Sequence, residues 1–589
     1  MSRKLFRTLF ILIMISMFAT SGAWAAPQAS QGTVDDPNNI PRQDDLPDEQ
    51  SIAQREYRAE ALDAKLHGQA VGKVHRIANG QYVELEREGE GAIWTVLGEF
   101  ADFPHNNIAE PDRSVDNTTY WIPDFNRQHF EEMLFSEEPG VTSMRNFYIE
   151  QSSNRYTIHG EVTDWIPVPG NAVDYDDAPT SNVYYFINDT IDGWYQSQID
   201  AGKTADEINA YLSQLDQWDR YDYDNDGNFD EPDGYIDTFQ SVHAGEGEEA
   251  GGGVLGADAI WSHSSSAFRR GGGPDGDGPS FNENGGVRIG DSNFWVRNYT
   301  IMPENGGVGV FAHEFGHDLG LPDLYDTSGG ENGTGFWTLM SSGSWMGSGV
   351  DDIGTRPDHM GAWEKLQMGW LNYETADAGQ KSEHKLGPVE FNTKQAQALI
   401  VVLPDKEVEQ SDGSIRTYSH YYVAEFRQNQ GFDDTLAVGP YNFGFLDNPT
   451  LGNWVEHFPY EEGLLISYWD TEQRNNQTQR HPGHGLVLPV DAHPTAMIRA
   501  DGGVWRNRIE SYDSTFGFHP TTALTLHWNS AESYHPSLPA VSIFDDRNSY
   551  YDPLNPQGSV IVPNTGTQIR IQSISAQGTF MQVQVRPAQ

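Results

Sequence analysis

The sequence predicts two large domains, an α+β domain followed by a mostly β, sandwich-like domain. The chain has 589 residues, too many for one ordinary domain. Strand-like and helix-like segments alternate up to about Leu371, a pattern typical of an α/β or α+β fold. From about Thr375 onwards the segments are short and strand-like, which favours a β-sandwich. We therefore predict domains at residues 91–375 and 376–589.

The N-terminus has the pattern of a secretory signal peptide. Basic residues precede an apolar run, Leu9–Phe18, and the tripeptide Ala23-Trp24-Ala25 follows with small residues at both positions that a signal peptidase reads. The apolar run is too short to anchor a protein stably in a bilayer. We therefore expect residues 1–25 to be removed and the protein to be secreted to the extracellular medium.

The next segment, residues 26–90, has the pattern of a pro-segment. Ala26–Gln54 is polar and rich in Asp, Pro, Gln and Asn, with too little apolar content to fold alone. The stretch from about Arg55 to Glu90 is predicted to be helical and then extended. Such a segment between a signal peptide and a strong strand predicts a zymogen, in which the pro-segment inhibits the mature domain.

Nine elements are predicted from apolar periodicity. In the first domain they are a strand at Ala92–Phe100 and helices at Asn126–Phe135 and Asp206–Trp218. In the second domain all six are strands. The predicted strands of the second domain are Ala398–Leu403, Tyr421–Phe426, Leu464–Trp469, Ala523–His527, Gln568–Ser573 and Met581–Val585.

Composition excludes several functions. The formal net charge is −50, from 86 acidic and 36 basic residues, so the chain should repel nucleic acid and anionic membrane surfaces. There is no cysteine, which excludes disulfides, a thiol nucleophile and a cysteine that masks an active-site metal. We expect neither nucleic acid nor a membrane among the partners.

A zinc motif lies at VGVFAHEFGHDLG, residues 308–320. His313 and His317 are four residues apart, so on a helix they lie on one face and can hold one Zn²⁺ together. Glu314 is adjacent to the first histidine and can act as general base on a zinc-activated water. Gly320 then ends the helix. The spacing predicts a zinc peptidase with Glu314 as its catalytic residue.

The third zinc ligand must come from beyond the helix, because a catalytic zinc needs three protein ligands and one open position. Two acids are within reach, Asp323 and Asp326. Leu-Pro before Asp323 fixes an extended turn that can aim its side chain back at the helix, which favours Asp323. An ordinary turn with Asp323 as its capping residue remains an alternative.

Several segments resemble one family beyond this motif. They are HEFGHDLGLPDLYD followed by GFWTLMSSGSW, FNRQHFEEMLF from Phe125, YIEQSS from Tyr148, GEVTDW from Gly160, and EPDGYIDTFQSVHAGEGEEAGGG from Glu231. Together they resemble the immune inhibitor A metallopeptidases, peptidase family M6, which are secreted bacterial proteases. The resemblance extends over roughly residues 70–589 and implies a metzincin-like zinc peptidase domain.

The resemblance also implies roles for individual residues. His313, His317 and Asp323 would be the zinc ligands, since the metzincin class places its third ligand ten residues after the first histidine. Met340 would be the methionine of the turn beneath the metal, with Met346 as a rival. Many metzincins have a tyrosine two residues after that methionine, where this chain has Ser342. The group that stabilises the oxyanion is therefore not identified from the sequence.

A second metal motif lies at YDYDNDGNFDEPD, residues 221–233. Counted from Asp222, oxygen donors and a turn glycine fall at the positions of a calcium-binding loop. Position 12 is Asp rather than Glu, so its bidentate reach is shorter. We expect a structural Ca²⁺ rather than a sensor site. The predicted calcium ligands are Asp222, Asp224, Asp226, Asn228, Asp230 and Asp233.

The chain is therefore predicted to be a secreted zinc endopeptidase that hydrolyses peptide bonds of extracellular proteins. Its expected partners are protein or peptide substrates and its own pro-segment, and it is expected to be a monomer. The alternative is a calcium-bound extracellular adhesion or binding protein with a vestigial peptidase site. An intact Glu314 favours the enzyme, because a decayed site would be free to lose it.

Overall fold

The computed structural model describes residues 44–69, 72–175, 182–274, 276–349 and 352–588. The predicted signal peptide lies outside these residues, as does most of the polar segment that follows it. No helix in the described part of the chain is both long enough and apolar enough to cross a membrane.

A six-stranded sheet forms the centre of the first half of the chain. Its strand order is β4-β3-β6-β10-β7, with the short β5 beside β3, and β7 is the one antiparallel strand at an edge. The apolar run of β3 is buried on both faces, as expected for an interior parallel strand. The strands are β3 (Gly89–Glu99), β4 (Tyr156–Val162), β5 (Ile166–Pro167), β6 (Phe239–His243), β7 (His263–Ser266) and β10 (Asn298–Pro303).

Helices and two small hairpins surround this sheet. The helices are α1 (Glu49–Leu66), α2 (Arg127–Phe135), α3 (Met144–Gln151), α4 (Val183–Asp200), α5 (Ala205–Leu212), α6 (Val308–Asp318) and α7 (Ala362–Gln367). The hairpins pair β1 (Val74–Ala78) with β2 (Gln81–Glu84), and β8 (Val287–Arg288) with β9 (Trp295–Val296). This half is therefore mixed α and β, with α6 following β10 directly.

The second half is rich in β-structure and is built on two sheets that share one core. A five-stranded sheet has the order β11-β13-β16-β19-β20, and a four-stranded sheet has the order β12-β25-β24-β23. Their facing side chains form a single hydrophobic cluster that includes Leu399, Tyr422 and Ile466 from one sheet and Ile569 and Val583 from the other. This arrangement is that of a sandwich.

The remaining elements of this half complete the two sheets or form small hairpins and short helices. Their bounds are β11 (Tyr373–Asp377), β12 (Ser382–Leu386), β13 (Ala398–Val402), β14 (Lys406–Glu409), β15 (Ile415–Tyr418), β16 (His420–Arg427), α8 (Asp434–Val438), β17 (Tyr441–Asn442), β18 (Glu456–His457), β19 (Gly463–Asp470), β20 (Val487–Pro489), α9 (Asn507–Glu510), β21 (Leu524–Trp528), β22 (Ala531–His535), β23 (Ile543–Asp545), β24 (Thr567–Ile574) and β25 (Met581–Pro587).

The predicted strands are all present, with ends that shift by a few residues. The helix predicted at Asn126–Phe135 is confirmed, and Asn126 caps it by accepting from the N–H of His129 at 3.0 Å. The helix predicted at Asp206–Trp218 ends early, at Leu212. Beyond Leu212 the N–H groups of Gln214 and Leu215 bond carbonyls three residues back, at 3.1 and 2.9 Å, and those of Gln217 and Trp218 bond the carboxylate of Asp237.

The C-terminal end of the polar segment, residues 49–54, is helical, whereas the sequence predicted that this segment does not fold alone. Helix α1 begins at Glu49, not near Arg55, because Asp48 accepts a bond from the N–H of Ser51 and caps it. Its apolar face, Ala61, Leu62 and Leu66, packs into a core shared with both halves of the chain. The helix is therefore stabilised mainly by tertiary packing. Contacts with distant residues cannot be predicted from the hydropathy of a short stretch of sequence.

Candidate metal centre

Helix α6 carries the predicted zinc motif and is buried along its whole length. It ends because Gly320 adopts a φ of +102°, a conformation that side-chain-bearing residues rarely adopt. The N–H of Leu321 then bonds the carbonyl of Gly316 at 3.0 Å and turns the chain. This turn carries Asp323 back towards the Nε2 atoms of the two histidine rings.

Both histidine rings are held in one tautomer by backbone carbonyls. Nδ1 of His313 donates to the carbonyl of Leu339 at 2.8 Å, and Nδ1 of His317 donates to the carbonyl of Leu321 at 2.8 Å. In the neutral rings the lone pairs of both Nε2 atoms therefore face the same point, and the two Nε2 atoms are 3.1 Å apart. Such second partners are typical of metal-ligating histidines.

Two carboxylates complete a cluster of four donors. An oxygen of Asp323 lies 3.2 Å from Nε2 of His317 and 3.6 Å from Nε2 of His313. The carboxylate of Asp44 approaches from the other side, at 3.4 Å from His317 and 3.6 Å from His313. One ligand atom from each of these four residues lies within 4.8 Å of all the others.

The spacing of these donors fits a tetrahedral zinc ion. Ligands at ordinary Zn–N and Zn–O distances lie about 3.3–3.6 Å from one another around a tetrahedron. Both oxygens of Asp323 and one oxygen of Asp44 are buried, and no described residue gives them a hydrogen bond. Because buried carboxylate oxygens are seldom left without a partner, these atoms are arranged for a cation.

The charges of the site lead to the same conclusion. Burial lowers the pKa of His313, but Asp323 and Asp44 outweigh it and raise this pKa to about 10. Burial and the neighbouring Asp44 raise the pKa of Asp323 to about 6. The acids thus repel one another, while the histidines are driven to take up positive charge. A divalent cation relieves both effects at once.

Glu314 lies beside this cluster and does not belong to it. It lines one cavity with Asp44, His313 and Tyr325. The residue is 2% exposed, and its Oε2 accepts no hydrogen bond from the described residues. Burial, followed by the charge of Asp44, raises the pKa of Glu314 well above its usual range. A buried carboxylate next to a metal cluster, with one oxygen unengaged, is placed to exchange a proton with a small molecule in the cavity.

Met340, which the family resemblance implies for the turn beneath the metal, packs against helix α6 at Gly316. A Cβ on Gly316 would be only 2.6 Å from its sulfur, so the close approach requires a glycine at that position. The carbonyl of Met340 accepts from the N–H of Leu324 at 2.8 Å and ties this turn to the segment that carries Asp323. Met346 belongs to a different hydrophobic cluster, which removes it as a rival for this position.

Asp326 and Ser342 have partners away from the cluster. One oxygen of Asp326 accepts from the N–H of Ser328 at 2.8 Å, and the other accepts from the N–H of Gln479 at 2.7 Å. The hydroxyl of Ser342 accepts from Asn332 at 2.7 Å and is fully buried. The structure therefore brings Asp323, and not Asp326, to the histidines.

Asp44 is the residue that the sequence prediction missed. Its carbonyl accepts from the N–H of Ser264 at 2.8 Å, and the N–H of Leu46 donates to the carbonyl of Ser264 at 2.9 Å. The N-terminal segment thus joins the edge strand β7 for one residue pair and delivers the carboxylate to the cluster. A single Asp in a polar stretch has no pattern that would have identified it.

The predicted calcium loop turns at its predicted glycine. Gly227 has a φ of +86°, and its N–H bonds a carboxylate oxygen of Asp222 at 2.9 Å. Carboxylate oxygens of Asp222, Asp224 and Asp226 lie within 4.8 Å of one another. The local turns therefore bring together three of the six predicted ligands.

The other three predicted calcium ligands have separate partners. The side-chain amide of Asn228 donates to Glu231 at 2.6 Å, and Asp230 lies 3.3 Å from Arg87. Asp233 is buried, and its Oδ1 accepts from the N–H of Tyr235 at 2.8 Å. Burial, followed by the nearby Asp216, raises the pKa of Asp233 well above its usual range.

Comparison with known proteins gives two family matches. Residues 79–371 match the model described as immune inhibitor A peptidase M6, catalytic domain, and residues 415–583 match immune inhibitor A-like metallopeptidase, VEG domain. Immune inhibitor A of Bacillus thuringiensis subsp. alesti is 38% identical, over 81% of this chain and 90% of that protein. Pre-pro-metalloprotease PrtV of Vibrio cholerae serotype O1 (strain M66-2) is 35% identical, over 55% of this chain and 36% of that protein.

Proposed function

The chain belongs to the immune inhibitor A family of metallopeptidases, and from this we propose that it is a secreted, zinc-dependent endopeptidase acting on extracellular proteins. The observation that carries the proposal is the set of donors His313, His317 and Asp323, with Glu314 in the same cavity. The signal-peptide pattern of residues 1–25 supports secretion.

We also propose a metzincin-like peptidase domain at residues 91–375 and a C-terminal domain at 376–589. The features that support the metzincin-like arrangement are a zinc helix ended by glycine, an acid just beyond it and Met340 beneath it. An antiparallel edge strand, β7, lies beside the site. This strand offers backbone N–H and C=O groups with which an extended peptide can pair.

The three donors His313, His317 and Asp323 would hold the metal. Zinc bound there supplies Lewis acidity, which polarises the scissile carbonyl and makes water acidic near neutral pH. The backbone carbonyls on both Nδ1 atoms fix the rings for this task. Asp323 contributes a negative charge from a turn that is fixed at both ends, by Gly320 and by the bond from Leu324 to Met340.

Glu314 has the role of general base. As water attacks the carbonyl carbon, Glu314 takes one proton from it and later delivers that proton to the leaving amine nitrogen. Burial raises the pKa of Glu314 and so favours its protonated form, whereas the positive charges of His317 and His313 act to lower that pKa. The carboxylate is exposed to the cavity but enclosed on its other sides, so it exchanges protons with substrate and not with bulk solvent.

We further propose that residues 26–90 keep the enzyme latent, with Asp44 as the group that fills the open position of the metal. Two contacts of the segment support this. Asp44 lies within 3.4–3.6 Å of both ligating nitrogens. Arg55 donates to the carbonyls of Gly320 and Leu321 at 3.0 and 3.2 Å, on the turn that carries Asp323.

This form of latency needs no thiol, in keeping with a chain that has no cysteine. Asp45 forms a paired contact with Arg55, in which Nη2 and Oδ1 are 2.9 Å apart. This pair holds the segment against the metal site next to Asp44. The Vibrio cholerae relative is named a pre-pro-metalloprotease, and a pre-pro organisation is what we propose for this chain.

The loop 222–233 is proposed to hold a structural Ca²⁺. In such loops the ligand at position 7 is a backbone carbonyl and position 9 acts through water, so the side chains of Asn228 and Asp230 need not touch the ion. The converging acids Asp222, Asp224 and Asp226 support the proposal. Their mutual repulsion is what the cation would relieve.

The peptidase proposal is tested on secreted, matured protein with casein as substrate. A zinc chelator should abolish cleavage, and added Zn²⁺ should restore it. Glu314→Gln should retain zinc but lose hydrolysis, because an amide cannot accept the proton from water. Glu283→Gln, a change on the exposed surface, is the matched control. Residual cleavage above about 1% by the Glu314 variant would contradict its role as base.

A further inference from the structure

Tyr325 lines the same cavity as Asp44. Burial raises the pKa of the Tyr325 phenol well above its usual range, and the nearby Asp323 and Asp44 add to this effect. Tyr325 lines the cavity that also contains His313 and Glu314, and it is 8% exposed. A phenol thus lies in the cavity to which the N-terminal segment brings Asp44.

The backbone next to Tyr325 is held by hydrogen bonds to both the N–H and the carbonyl of Leu324. The N–H of Leu324 bonds the carbonyl of Met340 at 2.8 Å. The carbonyl of Leu324 accepts from Thr334 at 3.1 Å and from Asn476 at 2.9 Å. A donor held in this way loses little entropy when it binds a ligand atom, which is the condition for electrostatic stabilisation by an enzyme.

Other hydroxyl groups along this cavity have different partners. Ser344 donates to the carbonyl of Ser341 at 3.0 Å, and Ser262 donates to Glu249 at 2.6 Å. The oxygen of Ser341 accepts from Asn332 and Thr334. These serine hydroxyls are thus engaged within the protein, whereas Tyr325 lines the cavity together with Asp44, His313 and Glu314.

We propose that Tyr325 is a catalytic residue, which donates a hydrogen bond to the carbonyl oxygen of the scissile peptide once the N-terminal segment has left. The inference rests on the proposed peptidase function and extends it to the group that stabilises the oxyanion. Ser342, at the position where many metzincins have a tyrosine, is buried and bonded to Asn332, so it does not supply this group.

The step balances without a change in the protonation of Tyr325. The water oxygen forms a bond to the carbonyl carbon while the C=O π bond breaks and its electron pair moves onto the carbonyl oxygen. Glu314 takes the proton of the water. The hydroxyl of Tyr325 keeps its own proton and shortens its hydrogen bond as negative charge grows. When the C–N bond breaks, the electron pair returns to form C=O, and Glu314 protonates the amine.

The test compares Tyr325→Phe with wild type in the full chain after its own maturation. The variant removes only one oxygen, so its zinc content and melting temperature should equal those of the wild type. For a short fluorogenic peptide, kcat should fall by roughly 10²–10³-fold, the usual cost of one oxyanion donor, while KM stays within about twofold. The inhibition constant of a phosphinic peptide, a mimic of the tetrahedral state, should rise by a similar factor.

Tyr120→Phe is the matched control, because Tyr120 lines the adjoining pocket beside Trp345 and loses the same oxygen. Its kcat should stay within about twofold of the wild type. A second measurement needs no variant: in wild type bound to the phosphinic peptide, the phenol oxygen should lie about 2.5–3.0 Å from a phosphinate oxygen.

Two results would overturn the inference. One is a Tyr325→Phe enzyme that has a normal kcat and differs from the wild type only by maturing faster. The role of Tyr325 would then be to hold Asp44 in the latent enzyme, and not to act in catalysis. The other is a phenol oxygen out of hydrogen-bonding range of the phosphinate. In the same assay, loss of cleavage by Glu314→Gln would show that the measured cleavage comes from this peptidase site. An inactive wild type would therefore contradict the function itself, whereas an active Tyr325→Phe would contradict only this role.

Discussion

An oxygen of Asp44 lies 3.4 Å from Nε2 of His317, although these residues are far apart in the chain and belong to different structural units. The contact places a carboxylate of the N-terminal segment in the same donor cluster as His313, His317 and Asp323. Charge reinforces it, since the two histidines outweigh the effect of burial and hold the pKa of Asp44 well below its usual range. Latency and catalysis are thus proposed to compete for one position.

Asp44→Asn should weaken latency, because an amide is a poorer zinc ligand than a carboxylate and carries no charge. In freshly secreted full-length protein, the initial rate on a fluorogenic peptide should rise by roughly ten- to a hundredfold. This corresponds to about 1.4–2.8 kcal/mol of lost docking free energy. Mass spectrometry should show that the N-terminal segment is still intact during the measurement.

The control for this change is Glu49→Gln, which alters an exposed acid in the first turn of α1 and leaves the metal site untouched. Its latency should match that of the wild type. If the uncleaved Asp44→Asn protein cleaves the peptide no faster than the uncleaved wild type, the segment inhibits by covering the cleft and not through its carboxylate.

Asp323→Ala and Asp326→Ala should have opposite effects. The Asp323 variant should lose zinc on dialysis, because two histidines leave the metal with too few protein ligands. The Asp326 variant should retain about one equivalent of zinc but lose roughly 1–3 kcal/mol of stability, since Ser328 and Gln479 lose their acceptor. Atomic absorption and thermal melting measure the two effects, and the reverse pattern would transfer the ligand role to Asp326.

Calcium should stabilise the protein through the acids at Asp222, Asp224 and Asp226. After chelation, millimolar Ca²⁺ should raise the melting temperature by several degrees, since a ligand at a hundred times its Kd contributes about 2.7 kcal/mol. Asp224→Asn should abolish most of this rise. The exposed Asp291→Asn should leave it unchanged. A melting temperature that does not respond to calcium would remove this site.

Glu510 should make stability depend on pH. Burial, only partly offset by the N–H of Met497, and the charges of Asp491 and Asp552 raise its pKa to about 9. Since the folded state holds this proton more tightly than the unfolded state, stability is fully present below about pH 4.5 and is lost as pH rises towards 9.

Glu510→Gln mimics the protonated acid and should reduce this loss. The variant and the wild type should melt together near pH 5. Near pH 9 the variant should be more stable by at least about 1.4 kcal/mol, the equivalent of one pKa unit. The exposed Glu532→Gln is the control, and equal pH profiles for all three proteins would contradict the shifted pKa.

The sequence alone identified the features that depend on neighbours along the chain. The four-residue spacing of His313 and His317 places both rings on one helix face whatever surrounds the helix. Gly320 marks the helix end, and the calcium loop has its acids and its turn glycine at fixed intervals. Strand and helix patterns gave the two halves of the fold for the same reason, since periodicity records which face of an element is buried.

Only the tertiary structure decided the features that depend on distant contacts. Asp44 reaches the metal cluster because its segment pairs with Ser264 and because Arg55 bonds the turn after α6. Asp326 turns away because Gln479, from the second half of the chain, donates to it. Tyr325 lines the cavity of the cluster, next to Leu324, whose N–H and carbonyl are both bonded. Each of these orientations is set by a long-range hydrogen bond, whose partner leaves no periodic or spacing signal in the local sequence.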